Sequence, residues 1–497
     1  MTRSPVSSTT TAFSCRWSSD ARASAACPWP TRRRNRRKGT CSCRRSPPRR
    51  RASRICTGPS RRSASPRTSA KRNGRRREFP EHLPVVRTVC ELEEDQRQCP
   101  CGGTLKEFGE ETSRELERVE TTIVHEIARK KYACPACSQG VVTAPWRGRV
   151  IEKGLLGPGF LAHVITERFG QHMPYFRLES KYKSEGLDLS RSVLCESMTR
   201  CSELFGPIVD VLRQQVVGSD VIFTDDTPVT IAHSKSGGPR EGRVWIYLDR
   251  EGHHWYDFTP SRKRDGPMSV LGGFKGLVHA DAYPGYDPLF LPEGATEVAC
   301  WAHARRKFVE AEATEGTLAR EAIDRIRALF MIEREAASLS DDERRAVRDK
   351  KARLLVEEFR AWLDLAATQV LPKGPLAKAI RYANNQWSAL TRYLDDGRLS
   401  ISNNAAENAL RPFALGRKNW LFFQREGGGK VASILMSLLM TARAAGVNPR
   451  DYFRDILLRV SEPGLTAADL TPHAWKQRFE PEVTARRNEI LQRIAGH

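Results

Sequence analysis

The pattern of apolar and polar positions predicts a sheet in the middle of the chain. Val221–Thr224 is a continuous apolar run, and Arg243–Leu248 and Trp255–Phe258 flank a glycine-containing turn typical of a hairpin. The remaining elements predicted here are the strands Gly276–Ala280 and Glu297–Cys300 and the basic helix Ala302–Val309. Strands in this order, followed by a helix, predict an α+β domain with a mixed sheet.

From residue 310 to 399 apolar positions recur with helical spacing, so a helical block interrupts the sheet domain. Ser340 and Glu343 form a capping box that begins a long helix, and Pro375 begins another that extends to Leu394. Three elements are predicted after this block: a short helix containing Glu407, an apolar strand Trp420–Phe423 and a helix Ala432–Ala445.

Residues 155–217 also have a helical pattern. Pro174 suits a first helical position, Gly186 a turn, and Ser190 an N-cap before a helix over Ser192–Cys201. Two helices around a glycine turn predict either a helix-turn-helix that enters the major groove or a module that only packs. The sequence alone leaves both interpretations open.

Four cysteines occur in two short turns of the type that binds zinc. They are Cys99, Cys101, Cys134 and Cys137, with Cys90 and His125 as reserve ligands. Zn²⁺ prefers four tetrahedral thiolates, and a predicted strand over Val119–Tyr132 between the two turns is consistent with a zinc ribbon. The alternative is four unligated thiols in a small domain.

The formal charge of +23 is concentrated at the N-terminus. Residues 1–78 hold 23 Lys and Arg against two acids, whereas the other 419 residues carry 59 basic and 57 acidic side chains. This segment contains no leucine and cannot build a core. It is interpreted either as a disordered basic arm that binds phosphates or as an out-of-frame remnant.

The 13 cysteines, the lack of a signal-peptide pattern and the lack of an apolar run near ~18 residues predict a reduced, cytoplasmic protein that is not in a membrane. In that compartment, pairs of cysteines are more often metal ligands than disulfides. With DNA as its partner, the protein is expected to be associated with the nucleoid.

Three carboxylates follow or adjoin the predicted sheet: Asp225, Asp281 and Glu407. Mg²⁺ and Mn²⁺ prefer carboxylate oxygens, and two such ions can activate the attacking oxygen and stabilise the leaving oxygen in phosphoryl transfer. The alternatives are turn positions for the two aspartates and, for Glu407, a capping box with Asn404. Spacing alone does not decide between these interpretations.

Four motifs carry a resemblance to a known family. They are Thr224–Val229 (TDDTPV), Ala280–Tyr286 (ADAYPGY), Cys300–Phe308 (CWAHARRKF) and Ser402–Pro412 (SNNAAENALRP). With them, residues 79–460 resemble the insertion sequence 66 family of bacterial transposases, which is similar to other DDE transposases and integrases.

The resemblance implies a ribonuclease-H-like mixed-sheet catalytic core with a helical insertion, in which Asp225, Asp281 and Glu407 bind two Mg²⁺ or Mn²⁺ ions. It also implies an N-terminal zinc ribbon and a role for His303 in contacting a phosphate or positioning the site. The expected organisation is a multidomain α+β chain with segments 1–78 (arm or remnant), 79–147 (zinc ribbon), 148–219 (helical DNA-binding region), 220–309 and 401–445 (catalytic core), 310–400 (helical insertion) and 446–497 (helical extension).

The chain departs from the family pattern at three places. Asp226 stands where Glu is usual, Asn408 where Arg is frequent, and the leucine-free residues 1–78 replace a leucine-rich coiled segment. The last departure leaves dimerisation and end recognition open.

Basic residues near the acids could hold DNA phosphates or form a solvated basic face. They are Arg305, Arg306, Lys307, Arg411, Arg417 and Lys418.

The predicted function is cleavage at transposon ends and strand transfer to target DNA, by a homo-oligomer on DNA that works with accessory proteins of the same element. The rival interpretations are a silent DNA-binding repressor and a metal-dependent nuclease without strand transfer.

Overall fold

A computed structural model describes residues 122–128, 130–133, 141–143, 150–152, 154–233 and 237–495, all within the unit Glu78–His497. The four predicted zinc cysteines and residues 1–78 lie outside these described residues.

A short antiparallel pair of strands comes first, β1 (Lys131–Ala133) and β2 (Val141–Thr143). The strand predicted over Val119–Tyr132 is wrong for residues 122–128, which have no regular structure. Ile123 and Val124 are 79% and 95% exposed. Apolar, β-branched residues favour a strand only where a partner strand or a core covers them.

Five strands form the central mixed sheet: β3 (Val221–Ile231), β4 (Arg240–Leu248), β5 (His254–Thr259), β6 (Leu277–His279) and β7 (Thr296–Val298). Their order is β5-β4-β3-β6-β7. Strand β4 pairs antiparallel with both β3 and β5, while β6 pairs parallel with both β3 and β7. The predicted mixed sheet and the β4–β5 hairpin are therefore confirmed.

The central strand β3 is longer than predicted, because it continues past Asp225 through Pro228 to Ile231. The carbonyl oxygen of Pro228 accepts from Arg417, and that of Thr230 accepts from Phe423 N–H. The backbone groups on this side of β3 thus point towards Arg417 and Phe423 and away from β4. The N–H that proline lacks is therefore not needed for pairing with β4, and Pro228 does not interrupt the antiparallel pairing.

The segment that follows Glu407 differs from the prediction at two positions. Trp420–Phe423 is not a strand, since helix α11 (Asn404–Trp420) extends to Trp420 and Phe423 makes only an isolated bridge to Ile231. The next helix, α12 (Glu426–Ala444), begins at Glu426 and not at Ala432. Of the glycines in its first turn, Gly429 is the one that packing requires, because a Cβ there would lie 2.4 Å from the Phe258 ring.

Fifteen α-helices are described. They are α1 (Pro158–Ile165), α2 (Tyr175–Ser184), α3 (Arg191–Val217), α4 (Asp265–Leu271), α5 (Trp301–Ala311), α6 (Gly316–Glu335), α7 (Asp341–Val347), α8 (Arg353–Ala367), α9 (Pro375–Asn385), α10 (Trp387–Thr391), α11 (Asn404–Trp420), α12 (Glu426–Ala444), α13 (Pro449–Arg459), α14 (Pro472–Arg478) and α15 (Glu480–Ala495). None of these helices is long and apolar enough to cross a membrane.

Helices cover the sheet and its edge. Helix α12 packs against β5 and α3, and its Ser437 and Thr441 hydroxyls accept from the backbone N–H groups of Tyr256 and His254. These bonds satisfy backbone donors on the edge of β5 that has no neighbouring strand. Helix α11 packs against β3 and β4. The acids of β3 and α11 are therefore carried by elements in direct contact.

The segment between β7 and α11 is helical, as predicted. The capping box at Ser340 and Glu343 is confirmed. The helix predicted to extend from Pro375 to Leu394 ends at Asn385, and α10 follows after Gln386. The Arg348 side chain is buried among these helices, where it pairs with Glu333 at 2.6 Å.

The N-terminal helices include the two predicted around Gly186, α2 and α3. Ser190 is the N-cap of α3, as predicted, whereas Pro174 is the N-cap of α2 and not its first residue. Helix α3 continues to Val217 and buries one face in the core. This burial favours a packing role for most of α3.

Candidate active site

Asp225 and Asp281 are brought side by side by the parallel pairing of β3 and β6. Phe223 is paired with His279, so the same register, continued by two residues, sets Asp225 opposite Asp281. Asp281 lies just beyond the end of β6, while Asp225 lies within β3. The two acids are therefore close to one another, although Asp225 lies within β3 and not, as the sequence had suggested, at the end of a strand.

Burial and neighbouring charges act together on these two carboxyl groups. The pKa of Asp225 is raised to about 7, mainly by burial and also by the charges of Asp281, Asp226 and Glu407, against the Asp226 N–H, which donates to Oδ1 over 2.8 Å. Burial and the Asp226 charge also raise the pKa of Asp281, against His303 and Arg262. The acids therefore form a cluster that favours a bound cation.

Glu407 lies in the first turn of α11, and its carboxylate faces α5. Its Oε1 is 3.3 Å from Nε2 of His303, and its Oε2 is 3.8 Å from the Arg306 guanidinium. The helix has Asn403 as its N-cap with no side-chain capping bond. The alternative that Glu407 completes a capping box with Asn404 is therefore wrong, because its carboxylate is used elsewhere.

Asn403 holds the three site elements together. Its side-chain amide donates to the Thr224 carbonyl oxygen over 2.8 Å, next to Asp225, and its backbone N–H donates to Sγ of Cys300 over 3.1 Å. Asn403 is fully buried. The sequence pattern did not reveal this role, although Asn403 belongs to the motif that contains Glu407.

The Asp226 carboxylate is held by two arginines and is therefore a poorer candidate for a metal ligand than the other acids. Its side chain is 0% exposed and pairs with Arg243 at 2.9 Å and with Arg262 at 2.8 Å. Neither arginine was a predicted site residue. For Arg262 the available signal was the basic run Arg262–Arg264 directly after β5.

The predicted phosphate-binding residues differ in exposure. Five are exposed, namely Arg305, Arg306 and Lys307 on α5 and Arg411 and Lys418 on α11. Arg417 is only partly exposed, and its guanidinium donates to Thr227 Oγ1 and to the Pro228 carbonyl oxygen. Part of the hydrogen-bonding capacity of Arg417 is therefore used within the protein, where it holds α11 against β3.

Two buried carboxylate oxygens at the site are available to a hard divalent cation, although the ligand atoms of Asp225, Asp281 and Glu407 do not all lie within 4.8 Å of one another. Oδ1 of Asp281 and Oε1 of Glu407 are buried and accept no hydrogen bond from the described residues. Ligand atoms of Cys300, His303 and Glu407 also lie within 4.8 Å of one another. Burial raises the pKa of the Cys300 thiol, which disfavours the thiolate that a softer metal requires. The carboxylates are thus the better ligands.

Comparisons with known proteins agree with these features. A family model described as Transposase IS66 family matches residues 153–431, and one described as the zinc-finger binding domain of transposase IS66 matches residues 96–138. The second range includes all four predicted zinc cysteines and supports a structural Zn²⁺.

Two proteins of Sinorhizobium fredii (strain NBRC 101917 / NGR234) are similar over most of their length. Uncharacterized protein y4hP is 30% identical over 448 residues, covering 84% of this chain and 80% of that protein. Uncharacterized protein y4jD is 29% identical over 421 residues, covering 80% and 81%. Since the first family model spans more than half of the 497 residues, the chain belongs to the IS66 family of transposases.

Proposed function

We propose that this chain cleaves DNA at the ends of its insertion element and transfers the freed 3′ ends to target DNA. The observation that carries the proposal is the register that brings Asp225 beside Asp281, together with the Glu407 charge, which acts on Asp225 from α11. Family membership and the zinc-finger domain support DNA as the partner. The five-stranded mixed sheet supports a ribonuclease-H-like core formed by residues 220–309 and 401–445.

Asp225, Asp281 and Glu407 are the proposed ligands of two Mg²⁺ or Mn²⁺ ions, which when bound activate the attacking oxygen and stabilise the leaving one. The chain itself supplies the positioning. Asp225 must lose its proton before it can serve as a ligand, and at a pKa of about 7 it does so near neutral pH. His303 orients Glu407 from 3.3 Å, and exposed basic residues such as Arg305 and Arg411 hold DNA phosphates.

The remaining segments have supporting roles in this proposal. Cys99, Cys101, Cys134 and Cys137 hold the zinc of a DNA-binding ribbon, and residues 148–219 contribute to end binding. The working form is a homo-oligomer on DNA that acts with accessory proteins of the same element.

Glu407→Gln tests the proposal most directly. The substitution keeps the size of the side chain but removes a negative charge that a metal ligand must supply. Folding and DNA binding should persist while cleavage and joining fall by orders of magnitude on a duplex carrying the element's terminal repeat with Mg²⁺ or Mn²⁺. Glu335→Gln is the matched control, because Glu335 is an exposed glutamate of the helical insertion that pairs with Lys351.

Near wild-type joining by Glu407→Gln would exclude Glu407 as the third acid. A wild-type protein that binds these ends without cutting them would identify a repressor. Cutting without joining would identify a nuclease.

A further inference from the structure

The loop between β5 and α4 forms a basic patch beside the proposed acids. It carries Arg262, Lys263 and Arg264 in succession, and all three are exposed. Lys263 and Arg264 make no ion pair with any residue that the structure describes. Three neighbouring cationic side chains beside an acidic site would attract an anionic polymer such as the DNA backbone.

Arg262 is held rigidly within this loop. Its Nε and one terminal nitrogen donate to Oδ1 of Asp226 over 3.1 and 2.8 Å. Its guanidinium carbon lies 4.0 Å from the centre of the Tyr283 ring, and the Tyr283 hydroxyl donates to the Arg262 carbonyl oxygen. A guanidinium fixed by a carboxylate and a ring loses little side-chain entropy when it binds a further ligand.

Arg262 also lies at the acids themselves, since its guanidinium is 3.9 Å from Oδ2 of Asp281. Asp226 does not need both of its arginines for charge balance, because Arg243 already pairs with it at 2.9 Å. One terminal nitrogen of Arg262 has no partner among the described residues, and the side chain remains 38% exposed. The guanidinium therefore keeps donors available for a ligand at the acid site.

We propose that Arg262 binds the phosphodiester on which the three acids act, and that Lys263 and Arg264 contact adjacent phosphates. The inference deepens the proposed function and rests on it. Asp226 and Tyr283 are positioning residues in this arrangement, because they fix Arg262 without touching the DNA. Arginine suits the task because its planar fork matches two phosphate oxygens at once.

The test compares a charged and a neutral phosphate at the reacting position. One duplex carries the element's terminal repeat, and a second carries a single uncharged methylphosphonate at the bond that wild type cuts. Arg262→Gln should slow cleavage of the normal duplex about 10- to 100-fold, as expected for a lost charged hydrogen bond. On the methylphosphonate duplex, Arg262→Gln and wild type should differ by less than about threefold.

Binding without divalent metal gives a readout independent of activity. Arg262→Gln should lower the salt dependence of duplex affinity by about 0.9 in log–log slope, the value for one lost phosphate contact. Arg262→Lys should retain that slope yet cleave slowly, because it keeps the charge but loses the fork. Arg327→Gln is the control, since Arg327 is exposed and pairs with Asp324 in the helical insertion.

An equal loss of cleavage on both duplexes, or an unchanged salt slope, would show that Arg262 only supports Asp226 and would overturn the inference. If wild type cuts neither duplex, the proposed function fails, and the salt slope alone still decides whether Arg262 contacts DNA.

Discussion

The side-chain amide of Asn403 donates to the carbonyl oxygen of Thr224 over 2.8 Å. This bond fixes the start of α11 one residue from Asp225, and the Asn403 N–H bond to Cys300 Sγ fixes α5 to the same point. This buried side chain therefore helps to set the distance between the acid on β3 and the acid on α11. A change at Asn403 should disturb the site without removing any carboxylate.

Asn403→Ala should lower the free energy of unfolding by about 1–3 kcal/mol, because the Thr224 carbonyl loses its donor in a buried place. End cleavage should fall at least tenfold, while the salt dependence of DNA binding stays the same. Urea unfolding and single-turnover cleavage measure the two effects. Asn404→Ala is the matched control, because Asn404 is exposed. Equal effects of the two substitutions would contradict the role given to Asn403.

The sequence predicted those parts of the fold whose signals are local. The hairpin of β4 and β5, the capping box at Ser340 and the N-cap Ser190 each depend on residues within a few positions of one another. Trp420–Phe423 failed as a strand because an apolar run does not show whether a partner strand is present. Three successive glycines likewise concealed the start of α12, because glycine is unusual inside a helix. Gly429 is glycine because the Phe258 ring packs against it, which the local sequence does not show.

In the site, the sequence predicted which acids to consider but not what surrounds them. Asp225 and Asp226 are adjacent in sequence and equal in chemistry, yet only Asp226 is paired with arginines. Its partners, Arg243 and Arg262, lie 17 and 36 positions away, and no local pattern links them to it. Such pairings depend on strand register and loop path, which single-residue spacing does not encode.

Removal of residues 1–78 should reduce nonspecific DNA binding and its salt dependence. The segment holds 23 of the 82 Lys and Arg with only two acids, and each phosphate contact releases counterions. Metal-dependent cleavage of the terminal repeat should survive, because all three proposed acids lie in the remaining chain. Binding isotherms from 50 to about 300 mM salt provide the measurement. An unchanged slope would show that the segment does not contact DNA.

Cys134→Ser should release about one zinc per chain, since one thiolate of the predicted set is lost. Specific end binding should weaken, while circular dichroism of the sheet domain stays the same, because structural zinc stabilises its own small module. Cys195→Ser is the control, as Cys195 is an exposed free thiol on α3. Purified wild-type protein without zinc under reducing conditions would contradict the ribbon.

The raised pKa of Asp225 makes stability depend on pH in a defined direction. Its pKa is about 7 in the folded protein, against an ordinary value of 3.8. Between these values the folded state binds more protons than the unfolded state, so the free energy of unfolding falls as pH rises. Above pH ~7 the charged, buried carboxylate costs up to about 4 kcal/mol, from about 1.36 kcal/mol for each pKa unit.

Asp225→Asn should therefore stabilise the metal-free protein at about pH 8 by roughly 2–4 kcal/mol and have little effect at about pH 4, where the wild-type carboxyl group is largely protonated. Urea unfolding in the presence of a chelator measures both values. Asp324→Asn provides the control, because Asp324 is an exposed aspartate of the helical insertion. Added Mg²⁺ should recover stability at high pH in wild type but much less in Asp225→Asn, because the amide supplies no charge to the ion. A stability difference that is the same at both pH values would show that the Asp225 charge is not the cause.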